Sequence, residues 1–207
     1  MMPHPVADDD KKGVSRRELL TFWRRPLDEA VKGMNKAVQS ATTSSVATPT
    51  LAKQAPLRPP GMMHELMLRN TCMRCGKCIE ICPAEAISPL GPEWGRLAET
   101  PAIDARKQPC VLCEGLQCTH VCPSGALIPV YTPGDVVMGT AVVDESRCLP
   151  YGGLACDQCL KACPIPGALV ADAQGRPSVV EDLCVGCGLC EQHCPTEPTS
   201  IRVRPRN

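Results

Sequence analysis

Sixteen cysteines, arranged in four sets of four, constrain the fold of this 207-residue chain more than any other feature. The first set, in residues 72–83, has the spacing C-x2-C-x2-C-x3-C-P, and the last, in residues 184–195, repeats it residue for residue. Two stretched copies lie between them, in residues 110–123 and 148–164, and we number the four motifs 1 to 4 in chain order. Each motif ends in Cys-Pro, and together they contain every cysteine of the chain: Cys72, Cys75, Cys78, Cys82, Cys110, Cys113, Cys118, Cys122, Cys148, Cys156, Cys159, Cys163, Cys184, Cys187, Cys190 and Cys194. The chain therefore has to fold around four compact groups of thiols.

Three kinds of chemistry use cysteines at this density. Disulfides require partners that face each other across the fold in an oxidising compartment, whereas cysteines separated by two residues on a tight loop point together. Zinc sites also use C-x2-C pairs, but the two pairs are usually a dozen or more residues apart. The run C-x2-C-x2-C-x3-C-P is the bacterial pattern for a 4Fe-4S cluster, in which the fourth cysteine ligates the other cluster of a pair. We therefore predict four 4Fe-4S clusters, with all sixteen cysteines as iron ligands and the fourth cysteine of each motif at the start of a helix.

The rest of the composition offers little from which to build a core. The chain has one Phe, two Trp and two Tyr, against 22 Pro and 16 Cys. Domains with so little apolar bulk usually depend on disulfides or metals for stability. Basic and acidic residues both number 22, so the net charge gives no reason to expect a nucleic acid partner. No run approaches the roughly 18 apolar residues of a membrane-spanning helix.

Short runs rich in β-branched residues flank the motifs, such as AVVDESR before motif 3 and TSIRV after motif 4. Residues 136–143 also read as a strand. These runs predict that strand, ligand loop, short helix and strand repeat four times, and we expect Gly76, Gly186 and Gly188 where the chain turns closely around a cluster. Since two such units share two clusters, the fold class is predicted as α+β, with tandem bacterial-ferredoxin-like modules.

The spacing leaves two pairings of the motifs open. Sequential pairing joins motif 1 to motif 2 and motif 3 to motif 4, and the short connection over residues 164–183 favours it. Nested pairing joins the two outer motifs and the two inner motifs, and the identical spacing of the outer pair favours this alternative, which we prefer. Nested pairing predicts four ligand sets: Cys72, Cys75, Cys78 and Cys194; Cys184, Cys187, Cys190 and Cys82; Cys110, Cys113, Cys118 and Cys163; and Cys148, Cys156, Cys159 and Cys122.

The motifs indicate electron transfer rather than catalysis. A cluster whose irons are all bound by protein thiolates has no open position for a substrate and passes one electron at a time. The sequence contains neither a P-loop nor a G-x-G-x-x-G nucleotide signature. His120 and His193 lie inside ligand loops, where we expect a surface or sulfur-tuning role. We therefore interpret the chain as an electron carrier and not as an enzyme.

Residues 58–203 resemble the NapG/MauM-type polyferredoxins, which are associated with periplasmic nitrate reduction and methylamine oxidation. The resemblance rests on CMRCGKC, PCVLCEGLQCTHVCPSGAL, MGTAVVDESRCLPYGGLACDQCLKACP and CVGCGLCEQHC, and the seven-residue gap between Cys148 and Cys156 is its most specific element. It implies a relay of electrons from a quinol-oxidising membrane partner, a quinol dehydrogenase, to a terminal oxidoreductase. The alternatives are an iron–sulfur subunit of a respiratory oxidoreductase complex and an accessory protein for maturation of a partner enzyme.

The N-terminal segment has two interpretations. The stretch SRRELL at residues 15–20 resembles a twin-arginine export signal, but charged residues at 24–29 interrupt the apolar run that such a signal needs. Ser15 and Glu18 also form a capping box, and apolar residues then recur three or four apart over about residues 15–38. We favour an amphipathic helix that docks on a membrane surface or in a partner's groove.

The predicted domain organisation follows from these segments. Residues 1–60 form a helical and disordered N-terminal extension, in which residues 39–60 are a flexible linker rich in Ser, Thr, Ala and Pro. Residues 61–207 form the polyferredoxin domain. The expected location is cytoplasmic, with peripheral association to the inner membrane through the helix, and the alternative is periplasmic through twin-arginine export.

Overall fold

The computed structural model describes residues 55–62 and 64–206. The predicted amphipathic helix and most of the predicted linker lie outside these residues. The described part contains five α-helices and six strands: α1 Glu65–Thr71, α2 Lys77–Glu80, β1 Ile87–Pro89, β2 Pro101–Ile103, α3 Gln117–His120, β3 Gly139–Val143, α4 Gln158–Ala162, β4 Leu169–Ala171, β5 Pro177–Val179, α5 Leu189–Gln192 and β6 Ile201–Pro205. Short 3-10 helices lie at Pro92–Leu97, Glu114–Leu116, Pro133–Asp135 and Leu149–Gly152. None of the helices in the described ranges has the length and apolarity to cross a bilayer.

Each motif contains one very short helix, and these helices are α2, α3, α4 and α5. The second residue of each helix is the third cysteine of its motif: Cys78, Cys118, Cys159 and Cys190. The prediction that the fourth cysteine starts a helix is wrong, because in every motif it follows the end of the helix. The reason is the proline behind it, since a residue that precedes proline is disfavoured in the α conformation.

The strands form three antiparallel pairs, and their topology divides the chain into two halves. In the second half, β3 before motif 3 pairs with β6 after motif 4, and the β4–β5 hairpin connects the two motifs. In the first half, Met62 before motif 1 bridges Leu127 after motif 2, and the β1–β2 pair connects the two motifs. Each half therefore encloses two consecutive motifs, and the mixed helix and strand content agrees with the α+β prediction.

Two details of the strands differ from prediction. The run at residues 136–143 enters a strand only at Gly139, because Val136 ends a 3-10 turn before it. The run SGALI after motif 2 does not form a strand, and its one β-bridge joins Leu127 to Met62. In the first half of the molecule, the segments before motif 1 and after motif 2 are therefore joined by a single β-bridge. In the second half, the strands before motif 3 and after motif 4 pair over five residues.

The last part of the predicted linker belongs to the fold, so the predicted boundary at residue 60 is wrong. Leu57 bridges Ile103 at the end of β2. Arg58 is only 1 % exposed; it pairs with Glu65 in α1 and donates hydrogen bonds to Thr100 Oγ1 (3.0 Å) and to the carbonyl oxygen of Pro101 (2.6 Å). A buried guanidinium requires such partners. These contacts anchor residues 55–60 to α1 and β2, which composition alone could not indicate.

Cysteines form part of the hydrophobic core itself. Cys110, Cys118 and Cys187 are buried in one core cluster with aliphatic side chains such as Leu116 and Met138. A second cluster joins Cys190 and Cys194 to Ala141 and Ile201. The core is therefore built around the thiols and is not separate from them.

Candidate cluster-binding sites

The first site collects cysteines from motifs 1 and 2. Cys72, Cys75 and Cys78 line one cavity together with Cys122, the fourth cysteine of motif 2. The space in this cavity that no protein atom occupies is about 410 Å³, including the part open to solvent. We call this group site 1, after the motif that supplies three of its cysteines.

Motifs 3 and 4 form two further cavities of similar kind. Site 3 contains Cys148, Cys156 and Cys159 of motif 3 with Cys194 of motif 4, around about 340 Å³ of unoccupied space. In site 4 the motifs exchange roles, and about 330 Å³ of unoccupied space, including the part open to solvent, is lined by four cysteines among other residues: Cys184, Cys187, Cys190 and Cys163. The two sites thus exchange their fourth ligands.

We assign Cys110, Cys113 and Cys118 of motif 2 and Cys82 of motif 1 to site 2, because Cys82 packs against the core cluster that contains Cys110 and Cys118. Burial raises the pKa of Cys110 to about 12, and the neighbouring thiols that add to this shift include Cys113 and Cys82. The pKa of Cys118 is likewise raised to about 12 by burial and then by Cys110, Cys113 and Cys82. Sites 1 and 2 therefore exchange fourth cysteines as sites 3 and 4 do.

The preferred nested pairing is wrong, because the structure brings the motifs together in sequence. Nested pairing requires Cys194 beside motif 1 and Cys122 beside motif 3, whereas Cys122 lines site 1 and Cys194 lines site 3. The spacing within a motif determines how its first three cysteines surround one cavity. The partner of the motif is set by short chain connections and strand pairing, which keep consecutive elements adjacent.

The four sites form a continuous row in the order 1, 2, 4, 3. Between sites 1 and 2, the Cys78 thiol is close enough to Cys118 to add to its raised pKa. Between sites 2 and 4, the Cys110 N–H donates a hydrogen bond of 3.0 Å to the carbonyl oxygen of Cys187. Between sites 4 and 3, Cys159 packs against the core cluster that contains Cys190. Each site therefore adjoins the next, and sites 1 and 3 are the two ends.

Comparisons with known proteins agree with this arrangement. Residues 71–126 match the family model of a 4Fe-4S dicluster domain, and residues 177–198 match that of a 4Fe-4S binding domain. The first match contains all the cysteines of motifs 1 and 2, as their shared half of the fold requires. The methylamine utilization ferredoxin-type protein MauM of Methylobacillus flagellatus is 36 % identical in an alignment 193 positions long that covers 84 % of this chain and 82 % of that protein.

The chain belongs to the NapG/MauM family of ferredoxin-type proteins. The ferredoxin-type protein NapG of Escherichia coli is 40 % identical over 162 residues, covering 72 % of this chain and 70 % of NapG. MauM of Methylorubrum extorquens is 37 % identical in an alignment 215 positions long, gaps included, that covers 94 % of this chain and 91 % of that MauM. The latter match reaches into the N-terminal extension as well as the cysteine-rich part.

The donor set of this NapG/MauM-type chain fits 4Fe-4S clusters. All sixteen cysteines are described, and every one of them is free rather than disulfide-bonded. In residues 55–62 and 64–206, no three His, Cys, Asp or Glu side chains converge on a point that a single metal ion could occupy. The thiols instead surround cavities in sets of four, which is the arrangement that a cluster of several iron atoms needs.

The third cysteine of each motif has a raised thiol pKa. Burial is the largest cause in all four, and other thiols of the same site add to it: the pKa of Cys78 and of Cys159 rises to about 11, that of Cys118 to about 12, and that of Cys190 also rises. Such thiols are protonated at neutral pH when no metal is bound. Iron ligation at these positions therefore releases protons and becomes more favourable as the pH rises.

Two of the fourth cysteines behave in the opposite way. Burial acts to raise the pKa of Cys122, but hydrogen bonds from the Ser124 hydroxyl and from backbone N–H groups lower it overall. Burial is again outweighed at Cys194, where the hydroxyls of Ser200 and Thr196 help to lower the pKa to about 6. These sulfur atoms are pre-arranged to carry negative charge.

Gly186 and Gly188 line site 4, as predicted, and Gly76 lines site 1. The first two also have a role that the sequence did not indicate. A Cβ on Gly186 would lie 2.4 Å from Gly139 N, and one on Gly188 would lie 2.5 Å from Ala105 Cβ. Both residues have positive φ, at +73° and +92°. They allow motif 4 to contact β3 on one side and the segment after β2 on the other.

His120 and His193, the histidines within the motif loops, are both exposed at the surface. His120 Nε2 lies 3.1 Å from the carbonyl oxygen of Val130, and His193 Nδ1 lies 2.9 Å from that of Leu189. Of the two roles expected from the sequence, the surface role therefore holds.

The residues that sequence reasoning missed are hydroxyl side chains near the fourth cysteines. Cys194 Sγ lies 3.2 Å from both Thr196 Oγ1 and Ser200 Oγ, and Cys122 Sγ lies 3.6 Å from Ser124 Oγ. Thr196 and Ser124 occupy the same position, directly after Cys-Pro, so comparison of the four motifs could have revealed them. Ser200 lies further along the chain, and only the turn before β6 brings it to the sulfur atom.

Proposed function

We propose that this chain is an electron-transfer protein with one 4Fe-4S cluster at each of its four sites. The observation that carries the proposal is the row of four thiol sets, in which each set adjoins the next. A cluster bound by four thiolates supplies one-electron transfer without an open coordination position. A continuous row of such sites fits a relay between two partners, because stability alone would not require the sites to be in contact.

The residues of the chain shape the middle of this relay. Cys110 and Cys118 at site 2 and Cys187 and Cys190 at site 4 are buried, whereas no cysteine of site 1 is buried. Site 3 also has two buried cysteines, Cys148 and Cys194. The hydrogen bond from Cys110 N–H to Cys187 O connects the ligand loops of these sites through the backbone. The two halves of the molecule are therefore held together where an electron has to cross between them.

The two ends of the row are where partners would exchange electrons with the chain. At site 1, Cys75 is exposed beside Met73, which is 63 % exposed. At site 3, Cys156 lines an open cleft together with Leu154 and His193. We propose that redox proteins bind at these ends, and the NapG/MauM resemblance makes a membrane-bound quinol dehydrogenase and a terminal oxidoreductase the expected pair.

Anaerobic purification with iron and sulfide analysis tests this function. We expect about sixteen iron and sixteen sulfide atoms per chain, because each of four sites holds four of each. EPR spectra recorded during a redox titration should then resolve centres that each accept one electron. A colourless preparation, or one that contains zinc in place of iron, would contradict the proposal.

The proposed location is the cytoplasmic side of the membrane, with peripheral attachment through residues 15–38. The basis remains the charged residues at 24–29, which interrupt the apolar run of an export signal. These residues lie outside the described ranges. Delivery of a reporter to the periplasm by residues 1–45, if it depended on Arg16 and Arg17, would contradict this location.

A further inference from the structure

We propose that site 3 has the highest reduction potential of the four sites, because the hydroxyl groups of Thr196 and Ser200 stabilise negative charge on Cys194 Sγ. This inference rests on the proposed function, since it requires a cluster at each site. It assigns a direction to the relay: electrons enter at site 1 and leave at site 3.

The geometry at Cys194 makes both hydroxyls hydrogen-bond donors. Each hydroxyl oxygen lies 3.2 Å from Cys194 Sγ, and a thiolate bound to iron has no proton to donate. Thr196 Oγ1 accepts a hydrogen bond of 2.8 Å from the Ser200 N–H, so its own hydrogen is available to the sulfur atom. Ser200 is only 3 % exposed, and water therefore competes little for its hydroxyl.

None of the other three fourth cysteines has two hydroxyl donors in the described structure. Cys122 at site 1 lies 3.6 Å from one hydroxyl, that of Ser124, and accepts a hydrogen bond of 3.5 Å from the Leu127 N–H, so both of its donors are more distant than those of Cys194. Cys82 at site 2 accepts a hydrogen bond from the Ala86 N–H (3.3 Å), and the position after its Cys-Pro pair is an alanine. Cys163 at site 4 is followed by Pro-Ile, and the nearest partner of its sulfur is a carbonyl oxygen, that of Ile165 at 3.6 Å. A carbonyl oxygen cannot stabilise a thiolate.

Hydrogen bonds to ligand sulfur atoms raise the reduction potential of iron–sulfur sites, as does access of solvent. The added electron increases the negative charge on the sulfur ligands, and a donor stabilises that charge more in the reduced state than in the oxidised state. The cleft beside Cys156 admits solvent to the same site. Arg106 adds positive charge near it, since its guanidinium donates to the Cys194 carbonyl oxygen at 2.8 Å, although its ion pair with Glu197 offsets part of this effect.

The direction of transfer follows from the order of the row. With a cluster bound at each site, an electron from a quinol-oxidising redox protein would enter at site 1, pass by way of sites 2 and 4, and be held most favourably at site 3. An acceptor redox protein that binds at the Cys156 cleft then takes it. Each step moves one electron between two centres, and no bond to the chain forms or breaks.

A redox titration of the intact, anaerobically purified protein, followed by EPR, tests the inference. In the wild-type protein, the signal with the highest midpoint potential should be the one that Cys194→Ala removes. In Ser200→Ala, this midpoint should fall while the other three stay in place. We expect about a tenfold loss in the ratio of reduced to oxidised site 3 at a fixed potential, which corresponds to 59 mV for a one-electron couple.

Position 196 provides an independent and matched comparison. Thr196→Val removes the hydroxyl at nearly constant volume and should lower the same midpoint, whereas Thr196→Ser keeps the hydroxyl and should stay near the wild-type value. Ser124→Ala should leave the signal of site 3 unchanged. If Ser200→Ala fails to fold, the comparison of Thr196→Val with Thr196→Ser still tests whether a hydroxyl group raises the midpoint potential of site 3.

The possible failures are distinguishable. If the wild-type protein shows all four centres but Ser200→Ala and Thr196→Val leave every midpoint unchanged, the inference is overturned while the proposed function stands. The same holds if the highest midpoint belongs to another site. If the wild-type protein contains no reducible centres, the proposed function itself fails.

Discussion

Replacing both Cys72 and Cys122 by alanine should remove no more iron than replacing either one alone. Both cysteines line site 1, so either single change already destroys that site, and each of the three variants should lose about four iron atoms per chain. Alanine is the better replacement, because a serine oxygen could still bind iron. Iron analysis of anaerobically purified variants measures the effect directly.

The matched control combines Cys72→Ala with Cys194→Ala. Since Cys194 lines site 3, these changes affect separate sites and the losses should add to about eight iron atoms per chain. Nested pairing predicts the opposite pattern, with an additive loss for Cys72 and Cys122 and no added loss for Cys72 and Cys194. The single variants are measured first, because they show whether loss of the cluster at one site also causes loss of the cluster at the adjacent site.

The grouping of three thiols within each motif could be predicted from the sequence, but the fourth cysteine that joins each group could not. A motif such as Cys72, Cys75 and Cys78 wraps one position with local geometry, so its spacing is sufficient to identify three ligands of one site. The fourth ligand depends on contacts between distant segments. The Ile128 N–H donates a hydrogen bond of 2.7 Å to the Gly61 carbonyl oxygen, which joins the segment before motif 1 to the segment after motif 2. No feature of the cysteine spacing encodes that contact.

The order of the sites was also beyond sequence reasoning. Motif 3 precedes motif 4 in the chain, yet site 4 lies next to site 2 and site 3 lies at the end. The contact between Cys110 and Cys187, together with the close approach of Gly186 to Gly139, produces this order. Glycines in ligand loops are common, so these two could not be distinguished in the sequence from glycines that only permit a turn.

The limit of the folded part shows how composition can mislead. Residues 39–60 are rich in small and polar residues, which is typical of a linker, but Arg58 reverses that interpretation within a few residues. Its guanidinium is buried between α1 and the loop before β2, and long-range partners rather than neighbours determine that burial. The buried Arg58 and its buried neighbours Leu57, Pro59 and Pro60 therefore extend the domain into a segment whose average composition predicts flexibility.

Removal of iron should unfold the cysteine-rich part of the chain almost completely. The helices within the motifs have four or five residues, whereas isolated helices shorter than about 12–15 residues are marginal in water. The sheets have two strands each, and a two-stranded sheet is marginal without further packing. Both core clusters contain cysteines, so without iron the same cores would hold thiols around unfilled cavities. Far-UV circular dichroism before and after anaerobic chelation measures the loss, and the spectrum should return when iron and sulfide are restored.

This unfolding is expected because the binding free energy of the clusters contributes to the stability of the folded state. Because complete ligand sets exist only in the folded chain, binding of the clusters stabilises the fold by the full difference in affinity between folded and unfolded states. Each site joins two motifs, so emptying it releases the connection between them as well as four thiols. A control sample kept anaerobic without chelator should keep its spectrum. An iron-free protein that still unfolds cooperatively on heating would show that the apolar side chains suffice, and that the clusters only occupy a fold that forms without them.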